Sequence, residues 1–194
     1  MTGTKLLAVD LEGNGARPPE MVELCVLGMA NRTLTGFRRH WLLKPTKPIS
    51  EIVSRIHGIT DDDVRNAPSI EDIAGDLAEV LEAHSVVGHN VRVDLDVLAR
   101  ALPEWAPARA IDTLKLARLL RPGLESYGLQ RLGDRFGLLG DAARVSGGPP
   151  HSAPYDAALC ALLLGELLRG LDDEAAEAAL TGADILAEAT GTLL

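Results

Sequence analysis

The sequence has only two cysteines, Cys25 and Cys160. Each sits in an apolar run, so buried reduced thiols are expected rather than a disulfide. Long apolar runs are also missing. No segment approaches the ~20 apolar residues that span a bilayer. The opening MTGTKLLAVD shows no long apolar stretch followed by a cleavage site. These absences argue against membrane insertion and secretion, and a soluble cytoplasmic protein is expected. Positive charge is absent from Leu171 to Leu194, which holds Asp172, Asp173, Glu174, Glu177, Asp184 and Glu188 and no Lys or Arg. That tail carries −6 of the formal net charge of −9 and leaves −3 on residues 1–170. Two bound divalent cations would bring the latter part to about +1, so the acidic balance does not exclude a nucleic-acid partner.

What is present is a globular composition, 46% hydrophobic and 24% charged. Residues 4–10, 21–29 and 34–43 read as three consecutive strands of an antiparallel meander. Ser50 is expected to cap a short helix through Arg55. Ser69 and Asp72 form a capping-box variant that opens a helix to about Ala83. Residues 85–89 (SVVGH) read as a short buried strand. Residues 91–101 carry apolar side chains at helical spacing. Residues 108–112 read as a strand, followed by a helix through Leu120; Asp112 reads as the cap of that helix, with a further metal ligand as the alternative. A helix from Ser126 to Gly137 is expected next, then a Gly/Pro loop over 138–150, then helices at about 153–169 and 173–189. Strands first and βα alternation afterwards imply a mixed α/β sheet flanked by helices. One domain over residues 1–170 is expected, with residues 171–194 as an acidic C-terminal helix packed on it.

Three features carry chemistry. In "AVDLEGNG" (8–15) Asp10 and Glu12 are two apart on a strand, so they project from one face. Like charges that close raise each other's pKa unless a cation lies between them. Hard oxygen ligands suit Mg²⁺ or Mn²⁺. In "GHNVRVDLDVL" (88–98) a buried strand ends at His89-Asn90, and Asp94 falls in the first turn of the next helix. In "HSAPYDAALCALLL" (151–164) Asp156 sits inside an otherwise apolar helix, and His151 ends the loop before it.

D-x-E, H-N-x(3)-D and H-x(4)-D, in this order, resemble the motifs of the DnaQ-like 3′–5′ exonucleases. The last motif resembles the DEDDh branch. "RIHGIT" (55–60), "IDTLKLARLL" (111–120) and "SYGLQRLGDRFGL" (126–138) add to the likeness, which covers roughly residues 4–169. The resemblance implies an RNase H-like fold whose five-stranded mixed sheet runs from an antiparallel meander into parallel strands. It implies two divalent metal ions, Mg²⁺ or Mn²⁺, held by Asp10, Glu12, Asp94 and Asp156, with His151 as general base. The implied reaction removes nucleoside 5′-monophosphates from single-stranded DNA or RNA 3′ ends.

The resemblance is incomplete. Gly13 stands where most relatives have Thr or Ser, and Val93 where Phe is frequent. His57 and Asn90 match positions near the family's nucleotide pocket; Leu11, Gly13 and Arg92 are the other candidate substrate contacts, Gly13 by permitting close backbone approach and Arg92 to a phosphate. For His57 and Asn90, local loop hydrogen bonding is an equal alternative. Glu23 reads as a supporting acid beside the site or as a simple strand residue. Seven cations against four acids between Arg109 and Arg144 form a flank suited to a phosphate backbone or to scattered solvation. The resemblance admits a DNA polymerase partner, but the short stretch beyond the matched region weighs toward a freestanding enzyme. RNA trimming is the alternative activity. A non-catalytic binding protein on this fold would be marked by a lost acid or histidine, and all five residues are present.

Overall fold

The computed structural model describes residues 6–187. Its five-stranded mixed sheet is the one expected. Strands β1 (Leu6–Gly13), β2 (Met21–Ala30) and β3 (Thr33–Leu42) form the antiparallel meander. The short strands β4 (Ser85–Gly88) and β5 (Ala110–Asp112) extend it in parallel on the other side of β1. The order across the sheet is β3-β2-β1-β4-β5.

Strand parity divides the core. Leu7 and Val9 of β1 face one layer, which holds Ile73, Leu77 and Leu81 of α2 (Ile70–Leu81) and Val97 and Leu98 of α3 (Arg92–Ala101). Ala8 faces the other layer with Cys25, Leu27 and Met29 of β2. Asp10 and Glu12 continue the parity of Ala8. At this end of the strand the apolar alternation gives way to carboxylates.

The second layer is built on α7 (Ala153–Leu167), which is apolar on nearly every side and buries Leu159, Leu163, Leu164 and Leu167 almost completely. A helix so apolar belongs in the middle of a protein. It is covered by α4 (Thr113–Leu120), α5 (Leu129–Arg135) and α6 (Leu139–Ser146). Gly165 lets it approach the β2–β3 turn, because a Cβ there would lie 2.7 Å from the Arg32 carbonyl oxygen. Both cysteines are buried free thiols, as expected.

Several local expectations hold. Ser69 and Asp72 form the reciprocal capping box of α2, and Asp112 caps α4 by accepting from the Leu114 N–H. Ser50 stands at the N-cap of α1 (Glu51–His57), but contrary to expectation its side chain makes no capping hydrogen bond. Three further expectations are corrected. Residues 138–150 are not all loop, since α6 occupies Leu139–Ser146 and Gly147 ends it in the left-handed conformation. Helix α5 starts at Leu129, because the Ser126 hydroxyl accepts from the Gly128 N–H in the turn before it. Helix α8 (Asp173–Ala183) ends earlier than expected. The Asp184 carboxylate turns back to accept from the Ala110 and Leu186 N–H groups, which competes with continued helix. Residues 188–189 of that expectation lie outside the described residues. Ala176, Ala179 and Ala183 of α8 join the same core, with α8 packed on α4 and β5.

Candidate active site

Three elements deliver the acids to one end of the sheet. β1 brings Asp10 and Glu12 on one face, and the first turn of α7 brings Asp156. Each offers a carboxylate oxygen, and the three oxygens lie within 4.8 Å of one another. Among the described residues this is the one group of three or more His, Cys, Asp or Glu side chains close enough to share a cation. Asp94 enters from the first turn of α3 and is buried. It lies outside that triad but acts electrostatically on Asp10 and Glu12.

The electrostatics show the cost of this convergence. Burial, then the charges of Asp94, Asp156, Glu12 and Glu23, hold the Asp10 carboxyl well above its ordinary range. Burial and the neighbouring carboxylates push Glu12 up to about 8. Burial also lifts Asp94 to about 7, although backbone hydrogen bonds, the one from Leu11 among them, oppose it. Asp156 is raised by burial and pulled back by His151 and Gln130. Without a counter-charge, such carboxylates must keep protons. A hard divalent cation replaces those protons, and the all-oxygen donor set fits Mg²⁺ or Mn²⁺.

His151 lies at the edge of the site. Its Nδ1 is 3.9 Å from Asp156 Oδ2, and its side chain is half exposed. Its φ of 62° is left-handed, a conformation that costs a non-glycine residue energy and recurs at functional sites. Ser152 holds the turn: its hydroxyl donates to the Pro149 carbonyl and accepts from the Tyr155 N–H to cap α7. Asp10, His89, Gly128, Leu129, Gln130, Arg131, His151 and Asp156 line an open cavity of about 420 Å³. A larger cavity of about 620 Å³ lies at the opposite end of the sheet, lined by Leu6, Met29, Phe37 and Val80 among others, away from the acidic triad.

The remaining sequence candidates are distributed around this centre. Asn90 is exposed with a φ of 61°, and its N–H donates to Asp112. Arg92 and Val93 are exposed at the start of α3. Leu11 is half-buried. Gly13 follows Glu12 with room for a side chain, since a Cβ there would meet nothing closer than 3.5 Å. His57 is buried: its Nε2 reaches the Gly13 carbonyl at 3.3 Å, and its Nδ1 accepts from the Ile59 N–H. It thereby pins the backbone just after Glu12.

Two polar contacts at the site were not assigned from sequence. The Gln130 amide donates to Asp156 Oδ1 at 2.8 Å across 26 residues of chain. His89 is held between the Thr113 hydroxyl and the Tyr127 carbonyl, and burial depresses its pKa. A polar residue in the first turn of a short helix carries no signal of either contact. For His89, its place at the end of a buried strand was the one available hint.

The comparisons agree with this geometry. The family model RNase_T, whose description is "Exonuclease", matches residues 7–164. The chain is 31% identical over 181 residues to the DNA polymerase III subunit epsilon of Rickettsia felis, covering 88% of this chain and 76% of that protein. It is 26% identical over 178 residues to the 3′-5′ exonuclease DinG of Bacillus subtilis, covering 88% of this chain but 18% of that one. Exonuclease X in complex with 5′ overhanging duplex DNA superposes with a TM-score of 0.67 at 27% identity, covering 90% of this chain and 99% of that one. The chain is a 3′–5′ exonuclease of the DnaQ-like DEDDh family.

Proposed function

We propose that this exonuclease hydrolyses the 3′-terminal phosphodiester of single-stranded DNA and releases a nucleoside 5′-monophosphate, with His151 as general base. The observation that carries the reading is the convergence of Asp10, Glu12 and Asp156 beside His151 at one cavity. Asp10, Glu12, Asp94 and Asp156 are the proposed holders of two divalent ions. Such ions supply charge compensation and Lewis acidity toward a phosphate. His151 accepts the proton of the attacking water, the general-base role that imidazole side chains serve most often. Its half-exposed ring at the cavity edge is accessible to that water. Gln130 and the start of α7 orient Asp156.

The cavity has the volume of a small-ligand site and suits one terminal nucleotide. Leu11, Gly13, His57, Asn90 and Arg92 are the proposed surroundings of that nucleotide, and exposed Arg92 is the proposed phosphate contact. DNA is preferred over RNA because the epsilon relative is named as a DNA polymerase subunit and the Exonuclease X structure holds DNA. The same likeness to epsilon favours a polymerase partner as a second proposal. The cytoplasm is the proposed setting, on the strength of the nucleic-acid substrate.

The test is the identity of the product. Single-stranded DNA and RNA of one sequence, each labelled on the 3′-terminal nucleoside, are digested with Mg²⁺ or Mn²⁺. Release of labelled nucleoside 5′-monophosphate, faster from DNA, is expected. Release of labelled free nucleoside, with the phosphate left on the 3′ end of the shortened strand, contradicts the bond assignment, and faster release from RNA contradicts the substrate preference.

A further inference from the structure

Glu23 is a further buried acid at this end of the sheet. It lies on β2 directly opposite Glu12, on the same sheet face, and is 5% exposed. Its charge adds to the repulsion felt by Asp10 and Glu12. A buried acid in such company needs partners, and both oxygens have one. His40 of β3 donates from Nε2 to Oε1 at 2.8 Å. The backbone N–H of Ala153 donates to Oε2 at 2.8 Å.

The second contact has a consequence for the site. Ala153 is the first residue of α7, and its N–H is one of the donors that a helix start leaves unsatisfied. A carboxylate there gains both the hydrogen bond and the helix dipole. His151 lies two residues before this anchor and Asp156 three after it. β2 is hydrogen-bonded to β1, which carries Asp10 and Glu12. One side chain thus ties the two halves of the site together through rigid elements. His40 holds the other oxygen and thereby sets the rotamer of Glu23.

We infer that Glu23 is a positioning residue, which fixes the start of α7 so that His151 and Asp156 meet Asp10 and Glu12, and that it is not a further cation ligand. The inference rests on the roles proposed above for His151 and Asp156. Its chemical requirement is an acceptor for the Ala153 N–H, and a glutamine carbonyl meets that requirement.

The test compares Glu23→Gln with Glu23→Ala in the full chain. Steady-state kinetics on a single-stranded oligonucleotide give the functional readout. Glu23→Ala is expected to lower kcat by about 10- to 100-fold with KM within about threefold, as misplacement of about 1 Å at a reacting centre does. Glu23→Gln is expected to keep kcat within about threefold of the unmodified protein, because the anchoring bond survives. Hydrogen exchange gives a readout independent of activity: the amides of residues 153–156 should exchange faster in Glu23→Ala, with β4 unchanged. Wild-type exchange at the start of α7 in Glu23→Ala overturns the anchor, whatever the activity. Equal loss of kcat in both variants overturns it in favour of a role for the charge itself, as in a cation ligand. Faster exchange in Glu23→Ala without any change in kcat retains the anchor and contradicts the roles given to His151 and Asp156.

Discussion

Gln130 and Asp156 are joined by a 2.8 Å hydrogen bond that occupies one oxygen of the carboxylate and leaves the other toward His151. The donor lowers the pKa of Asp156 against the effect of burial. Replacing Gln130 with Leu keeps the size and removes the donor. A hydrogen bond to a charged group contributes about 1.5–3 kcal/mol, and the open cavity lets water replace part of it, so a fall in kcat of about tenfold is expected. Steady-state kinetics check this. An unchanged kcat would mean that the bond has no part in orienting Asp156.

His151 adopts left-handed backbone, which asparagine tolerates better than most residues. His151→Asn therefore removes the imidazole without adding backbone strain. It is expected to lower kcat by about 10²- to 10⁴-fold, the usual contribution of a general base. Because the side chain is half exposed, the thermal midpoint should stay within about 2 °C of the original. A large fall in midpoint with intact kcat would reverse the assignment.

The metal-free protein should lose stability as pH rises from 6.5 to 8.5. Glu12 and Asp94 are pushed up to about 8 and about 7, so the folded chain holds protons here that the unfolded chain has released. With more protons bound in the folded state, stability falls with rising pH. The depressed pKa values of His57 and His89 act in the opposite sense at lower pH, where the unfolded chain takes up protons, and fade above their ordinary value. A fall of several degrees in the midpoint across this window is expected in the presence of a chelator. Mn²⁺ should raise the midpoint more at pH 8 than at pH 6.5, since ions and protons compete for the same oxygens. A flat profile, or one that Glu12→Gln leaves unchanged, would contradict the cluster electrostatics.

Gly165→Ala tests the packing that holds α7 to the sheet. Its new Cβ would sit 2.7 Å from a backbone oxygen, which cannot rotate away. Overpacking of this kind costs about 1–3 kcal/mol. Chemical denaturation should show that loss, with kcat nearly unchanged because the clash lies at the end of α7 remote from Asp156. Neutral stability would mean that the β2–β3 turn yields freely.

The legible parts of this protein were those with a local signature. Strand parity placed Asp10 and Glu12 side by side, and the register bears this out. An acid ahead of "AALCALLL" had no solvated face to occupy, which singled out Asp156. Helix α6 was hidden because Gly140, Gly147, Gly148, Pro149 and Pro150 crowd one stretch of sequence. Four of those five flank the helix, and Gly140 lies in its first turn, where a missing side chain costs little. Packing of Ala142 against α7 then overrides local propensity. The bonds from Gln130 to Asp156 and from Ala153 to Glu23 join residues far apart in the chain. Only the assembled layers bring them together, so neither has a sequence pattern.

On the proposed reading, the carboxylates around Asp10 serve hydrolysis from a 3′ end. The most direct measurement follows a 5′-labelled single strand with Mg²⁺ or Mn²⁺, using the unmodified protein beside Asp10→Asn. A ladder shortening from the 3′ end, abolished by Asp10→Asn and by a chelator, is the expected result. Shortening that persists at full rate in Asp10→Asn, or a ladder that begins with loss of the 5′ label, would contradict the account.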